Sequence, residues 1–337
     1  MSNNPTELFD RTFDVAVIGG GAAGLSAGMV LGRARRSVLV IDAGSPRNAP
    51  AEGVHGFLTR DGISPAELVA IGRTEVERYG GLVHHGEALA ARRAGAGFEV
   101  TLDGGGTIAA RRLLVTTGLV DELPDIAGLR QRWGRDVLHC PYCHGWEVRD
   151  QPIGILGTGA FSLHQARMFR QWSADLVFFA HTAPELTGEE AEELAALGIR
   201  VVSGTVDSIE VADDALSGVR LSDGTVVPRR AVVVLPRMVA SSRLLATLGL
   251  RPGEHPRGIG EFIAADPTGA TDVPGVWVAG NVTDLTAQVV TAAAGGVTAA
   301  AAINADLIAE ETRLAVDDYR NRLAAGTGQS PLAPESA

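Results

Sequence analysis

The chain has 337 residues, 45% of them hydrophobic, with 42 glycines and only 5% aromatics. That is enough for about two packed domains of α/β type and excludes a disordered chain. A formal charge of −11 with no basic stripe argues against a nucleic-acid partner, and Arg33, Arg35 and Arg36 read as a solvated helix end. Residues 1–14 are polar and acidic without a signal pattern, and the mild apolar run over 289–303 is short for a span and mostly Ala and Gly. A soluble, cytoplasmic protein with no membrane partner is expected.

Residues 13–18 read as a buried strand. Gly19-Gly20-Gly21-Ala22-Ala23-Gly24 follows, a helix runs to about Gly32, and a second strand over 37–41 ends in Asp42. Strand, G-x-G-x-x-G, helix, strand and acid in this order predict a dinucleotide site. Gly19 permits the tight turn, and Gly21 lets the backbone approach a pyrophosphate at the helix N-terminus. Gly24 lets the helix pack on the sheet, and Asp42 is placed to accept from a ribose hydroxyl. The alternative is a Rossmann unit without a nucleotide.

Residues 43–62 are rich in Pro and Gly and read as loop. The stretch 64–79 reads as an amphipathic helix with Ser64 as N-cap and Pro65 in the first position. Short strands follow, including one at 98–102, then a buried strand over 112–117. Its polar end, Thr116-Thr117-Gly118, lies where open α/β sheets bind ligands.

Residues 121–133 are irregular and read as the crossing into a second domain. Just inside it lies His139-Cys140-Pro141-Tyr142-Cys143-His144-Gly145-Trp146-Glu147, which holds both cysteines of the chain. A Cys-x-x-Cys pair in a reducing cytosol points to a redox-active dithiol. Two buried small hydrophobes are one alternative. A zinc site of His139, Cys140, Cys143 and His144 is the other, although four ligands within six residues hardly wrap a tetrahedron.

The first pattern then repeats. A strand over 152–156 leads into Gly157-Thr158-Gly159-Ala160-Phe161-Ser162, a helix to about Trp172 and a strand over 175–180. A Glu-rich helix over 188–197 and strands near 199–202, 218–221 and 231–235 complete a second Rossmann unit. Ser162 stands where the third glycine belongs. Phe178-Phe179-Ala180-His181 ends the second strand with no acid or arginine pair, and His181 reads as a solvated loop histidine. The chain then returns through 262–266 and a strand ending in Ala279-Gly280-Asn281. A small-residue helix over 288–307 follows, whose N-terminus would aim at whatever occupies the first domain and, if that is a flavin, would stabilise negative charge on its reduced ring; the alternative is an ordinary buried helix. From about residue 324 the tail reads as disordered.

Gly19 to Gly24 with Asp42, the Thr116-Thr117-Gly118 turn, Cys140-x-x-Cys143, the second glycine turn at Gly157 and the terminal Ala279-Gly280-Asn281 keep this order over about residues 12–310. In this the sequence resembles the low-molecular-weight thioredoxin reductases. The resemblance implies an α/β fold of two Rossmann-like domains, one binding FAD and one NAD(P)-like, in a homodimer. The expected boundaries are 1–121 for the first part of the FAD domain, 122–249 for the inserted NAD(P)-like domain with the Cys-x-x-Cys, 250–323 for the second part, and 324–337 for the tail. Pro46-Arg47-Asn48 and His55-Gly56-Phe57-Leu58, with Cys-Pro-Tyr-Cys-His-Gly-Trp-Glu, are further similar to the FAD-dependent dithiol oxidases of disulfide natural products. These are the gliotoxin, holomycin and romidepsin enzymes, and the Ala- and Gly-rich composition suggests the bacterial holomycin type. Three departures from the reductases favour that subgroup: His144 for the usual Asp, Phe-Ala-His for an Arg-rich turn, and Asn281 for the usual Asp of the last motif.

The resemblance implies cofactor contacts at Gly19, Gly21, Ala22, Ala23, Gly24, Asp42, Arg47, Asn48, His55, Thr117, Gly118, Gly280, Asn281, Ala287, Gln288 and Val289. It implies Cys143 facing the flavin, Cys140 meeting the substrate and His144 as the acid/base. The expected activity is oxidation of a small dithiol to a cyclic disulfide, in antibiotic biosynthesis and self-resistance, with oxygen as acceptor. An NADPH-dependent thioredoxin reductase, an enzyme fed by ferredoxin or a second flavin, and a non-catalytic redox-sensing flavoprotein remain open.

Overall fold

The computed structural model describes residues 9, 11–241 and 243–325. The first Rossmann unit begins with β1 (Thr12–Ile18), α1 (Ala22–Arg33) and β2 (Val38–Asp42). Next come α2 (Pro65–Arg78), β3 (Leu82–His85), β4 (Ala88–Ala94), β5 (Gly97–Leu102) and β6 (Thr107–Val115). The Ser64 side chain caps α2 by accepting from the Glu67 N–H, as its sequence signature predicts. The strands lie in the order β3-β2-β1-β6-β5-β4. The long β6 has two halves with different neighbours on one edge: residues 107–110 pair with β5, and 113–115 pair with a late strand over 276–278. One sheet is thereby built from both ends of the chain.

A short strand, β7 (Leu119–Glu122), leads to α3 (Leu129–Arg132), β8 (Val137–Leu138) and α4 (Pro141–His144). The second unit continues through β9 (Ile153–Leu156), α5 (Phe161–Phe169), β10 (Leu176–Phe179), α6 (Gly188–Ala196) and β11 (Arg200–Val202). A three-stranded antiparallel sheet of β12 (Val206–Ala212), β13 (Ala215–Leu221) and β14 (Val226–Pro228) precedes β15 (Ala231–Val233). The order β11-β10-β9-β15-β8 is parallel throughout. Its inner strands β10, β9 and β15 are fully buried apolar runs, as expected where both faces are covered.

The return strand β16 (Arg237–Ala240) pairs antiparallel with β7. Leu244 and Leu245 of α7 (Arg243–Thr247) lie in the core beneath the first sheet. After β17 (Gly253–Glu254) and β18 (Gly260–Phe262), β19 (Val276–Val278) joins β6, and α8 (Val289–Ala324) closes the chain. The fold is the expected pair of Rossmann-like domains.

Two expectations need correction. The last helix runs for 36 residues rather than ending at 307. Its second half docks through charge, which apolar periodicity does not register: Glu310 and Glu311 contact Arg111, Glu311 also contacts Arg36, and Asp306 contacts Arg112. Arg36 is therefore engaged rather than solvated. By length and composition α8 would suffice to cross a membrane. Its inner face instead packs Ala292, Ala299, Ala300, Ile303 and Leu307 with α1 and the first sheet. Gly296 makes that approach possible, since a β-carbon there would stand 2.0 Å from the Ala23 carbonyl oxygen. The tail expected to be disordered lies, from residue 326, outside the described residues.

Candidate active site

A cavity of about 530 Å³ opens at the carboxyl ends of β1, β2 and β6, where an open α/β sheet binds ligands. It is lined by Gly19, Gly21, Ala22, Ala23, Asp42, Arg47, Asn48, His55, Thr117, Gly118, Cys140, Cys143, His144, Gly280, Asn281, Ala287, Gln288 and Val289. Of the site residues expected from sequence, Gly24 alone is absent from the wall. It is a packing residue: a β-carbon there would stand 1.9 Å from the Gly19 carbonyl oxygen.

The glycine turn fits a dinucleotide phosphate. A β-carbon on Gly21 would meet nothing within 4 Å, so the backbone faces open cavity, and no side chain caps α1. The N–H groups of its first turn, at the positive end of the helix, stand ready for an anion. Asp42 accepts from the Gly20 N–H at 3.1 Å and from Arg73 Nη2 at 2.5 Å. Its orientation is fixed, with lone pairs left for a ribose. Asn281 donates both amide hydrogens inward, to the carbonyls of Asp284 and Ala287 at 3.0 and 2.9 Å, so it offers a ligand only its oxygen. These features fit FAD, for which Gly21, Ala22 and Ala23 would face the pyrophosphate and Asp42 the ribose.

The dithiol closes the other end. Cys140 is the N-cap of α4, with Pro141 in the first position, and the Cys143 thiol donates to Cys140 Sγ at 2.7 Å. That hydrogen bond is the main reason the Cys140 pKa is brought down to about 7; burial opposes it, and the N–H groups of Cys143 and Tyr142 and the side chain of Gln288 add to it. The same bond, with burial and the neighbouring charge, pushes the Cys143 thiol up. In the reduced pair the charge therefore sits on Cys140 and the shared proton on Cys143.

His144 has both ring nitrogens buried without a hydrogen-bond partner. Burial lowers its pKa, Glu147 opposes that shift and His55 reinforces it. His139 is pushed down to about 4, by burial first and then by the Arg47 cation. Arg47 reaches across to Asp121 with two hydrogen bonds of 2.7 Å, and His55 bridges Asp61 and Glu147 at 3.5 Å each. Both residues brace the 43–62 loop as well as lining the wall. Asp121 and His139 also line the cavity, and sequence reasoning missed Asp121 because it lay in a stretch read only as a crossing.

The second glycine turn is different. Ser162 is fully buried, and its hydroxyl accepts from the N–H of Thr158 at 3.0 Å and of Gly159 at 3.4 Å. Two N–H groups of the turn, those of Thr158 and Gly159, are thereby taken up within the chain. His181 is not the solvated residue expected: its Nδ1 accepts from the Val206 N–H at 3.0 Å, and burial lowers its pKa. The backbone of Val206 needs that acceptor, a demand invisible in sequence.

A profile of the pyridine nucleotide-disulphide oxidoreductase family matches residues 13–296. Thioredoxin reductase sirT of Leptosphaeria maculans is 32% identical over 309 residues, covering 87% of this chain and 93% of that protein. Among solved structures, HlmI superimposes with a TM-score of 0.87 at 46% identity, over 93% of this chain and 98% of its own. An oxidoreductase from Agrobacterium tumefaciens gives 0.83 at 36% identity, over 88% and 99%.

Proposed function

The chain belongs to the pyridine nucleotide-disulphide oxidoreductases, in their thioredoxin reductase-like branch, and from that premise we propose that it is an FAD-dependent oxidase that closes a small dithiol into a cyclic disulfide, with dioxygen as acceptor. The observation that carries this reading is the contrast between the two glycine turns. The first lines the cavity that also holds Cys140 and Cys143; the second lies outside that cavity, and Ser162 takes up the N–H groups of Thr158 and Gly159 there. On this reading electrons enter through the dithiol rather than from a nicotinamide.

The oxidised pair takes a substrate thiolate at the Cys140 sulfur. The Cys140–Cys143 bond breaks, its electrons go to Cys143, and a substrate–Cys140 disulfide forms. The second substrate thiol gives its proton to His144 and attacks the substrate sulfur. The ring closes and Cys140 leaves as a thiolate, two electrons richer as a pair with Cys143. Holding both thiols in one molecule makes this step effectively unimolecular. A thiol of pKa about 7 is a good leaving group, which suits Cys140 to the substrate side. When bound, FAD supplies a two-electron acceptor for the reduced pair and a donor to dioxygen.

The test is anaerobic. Dithiothreitol is expected to bleach the flavin and NADPH to leave it oxidised. In air, dithiothreitol yields hydrogen peroxide, and the yield is lost in Cys140→Ser and Cys143→Ser. Rapid bleaching by NADPH sinks the reading in favour of a thioredoxin reductase.

A further inference from the structure

His139 is a cavity histidine that the proposed chemistry leaves unused, and its hydrogen bonds decide which of its nitrogens carries the hydrogen. It follows β8 directly and precedes Cys140, so it stands at the dithiol end of the wall. Behind it lies Gln165 of α5, which is 5% exposed. The Gln165 amide nitrogen is 3.2 Å from the His139 carbonyl oxygen and 3.4 Å from its Nδ1. A carbonyl only accepts, so the nitrogen end of the carboxamide must face it, and that same nitrogen donates to Nδ1. The reverse orientation would set two oxygens against each other. Gln165 commits its nitrogen to this grip while its own oxygen stays buried without a partner. With Nδ1 accepting, the hydrogen of the neutral imidazole sits on Nε2. That nitrogen has no partner among the described residues and stays open, whereas both nitrogens of His144 are sealed. We propose that Gln165 locks His139 with its hydrogen on Nε2, and that His139 thereby gives the dithiol end of the cavity a neutral hydrogen-bond donor for an acceptor atom of the flavin ring.

The proposal rests on the FAD reading of the cavity and is independent of the direction of electron flow. An FAD with its pyrophosphate at the glycine turn and its ribose at Asp42 would have its ring left for the other end, where the dithiol lies. In the reduced pair the charge is on Cys140 and the proton on Cys143. Re-forming the disulfide hands on two electrons and that one proton, so the acceptor side gains one negative charge. A donor that keeps its own proton stabilises this charge without neutralising it. His139 suits that task because burial, then the Arg47 cation, push its pKa down to about 4; His144 acts in the same sense and Asp121 opposes. The two histidines that bracket the dithiol thus divide the work: His144, unpinned, moves a proton, and His139, pinned by Gln165, holds one.

Two measurements on the flavin-loaded full chain test this. The first is nitrogen NMR with isotope-labelled histidines near neutral pH, the His139 signals being those lost in His139→Phe. A hydrogen on Nε2 and a bare Nδ1 are expected. Gln165→Glu, which only accepts when ionised, is expected to draw a hydrogen onto Nδ1, and Gln165→Met, which has no donor, to give a mixture of the two forms. A wild-type hydrogen on Nδ1, or the wild-type pattern kept in both variants, overturns the lock; where Gln165→Glu does not fold, Gln165→Met carries this arm. The second is an anaerobic titration of the flavin against a reference dye. His139→Phe is expected to shift the equilibrium about tenfold towards oxidised flavin, and His139→Gln, whose amide still donates, to keep most of the wild-type value. An equilibrium unchanged in His139→Phe overturns the donor role towards the flavin and leaves the lock standing. Bleaching of the wild type by NADPH, which sinks the oxidase reading, alters neither result.

Discussion

His144 is an imidazole with no partner and little water, so its neutral form is favoured. The sign matters for activity. A base whose pKa lies below the ordinary 6.5 stays unprotonated as pH falls through that value, so the acid limb of kcat/KM is expected below pH 6.5. Glu147 holds that pKa up, and Glu147→Gln is expected to move the limb lower still. His144→Ala should cost about 10²-fold in kcat/KM and abolish the limb. A pH–rate series with dithiothreitol measures all three, and an acid limb retained in His144→Ala would remove the residue from its role. Much of this site was legible in the sequence, because the dithiol, the glycine turn and Asp42 are chemistry written at fixed spacing. Asp121 was not, and Ser162 was legible only as a departure from the glycine pattern. One matters through Arg47, 74 positions away, and the other through N–H groups that only the folded turn aims at its hydroxyl.

The long helix α8 has two halves held by different forces. The first packs small side chains on α1, and the second, beyond Leu307, is held to the first domain by carboxylate–guanidinium contacts. Hydrogen bonds from Arg36 and Arg111 bring the Glu311 pKa from 4.5 to about 2. The stabilisation is complete above pH 4.5 and lost as pH falls towards 2. Because the group is exposed and screened, the effect is small. The drop in Tm between pH 4.5 and 2.5 is expected to be smaller in Glu311→Gln than in wild type by about 2 °C. Equal drops would show that this carboxylate is not linked to folding. Apolar periodicity located the first half of the helix and stopped where burial stops.

At the scale of the molecule, the cavity wall draws on the α1 turn, the 43–62 loop, the dithiol loop and the start of α8. A ligand bound there couples all four to folding. Stripping the flavin is expected to lower Tm, and restoring FAD at about 100 times its Kd to return about 2.7 kcal/mol. Calorimetry of the stripped protein checks this, and a Tm indifferent to added FAD would sink the assignment of the cavity. The two Rossmann units were legible as a repeated pattern of strand, glycine turn and helix. That β6 joins both ends of the chain was not, because its partners lie at 98–101 and 276–278. The antiparallel pairing of β7 with β16 has one more consequence. The outgoing and returning strands run side by side, Leu119 against Ala240, so everything between them hangs from a two-strand suture. Topologically that segment is a cassette, excisable or exchangeable without rethreading the sheet beneath it. Both the dithiol and the second glycine turn travel in it, so under the proposed oxidase function the direction of electron flow would be a heritable property of the insert rather than of its host.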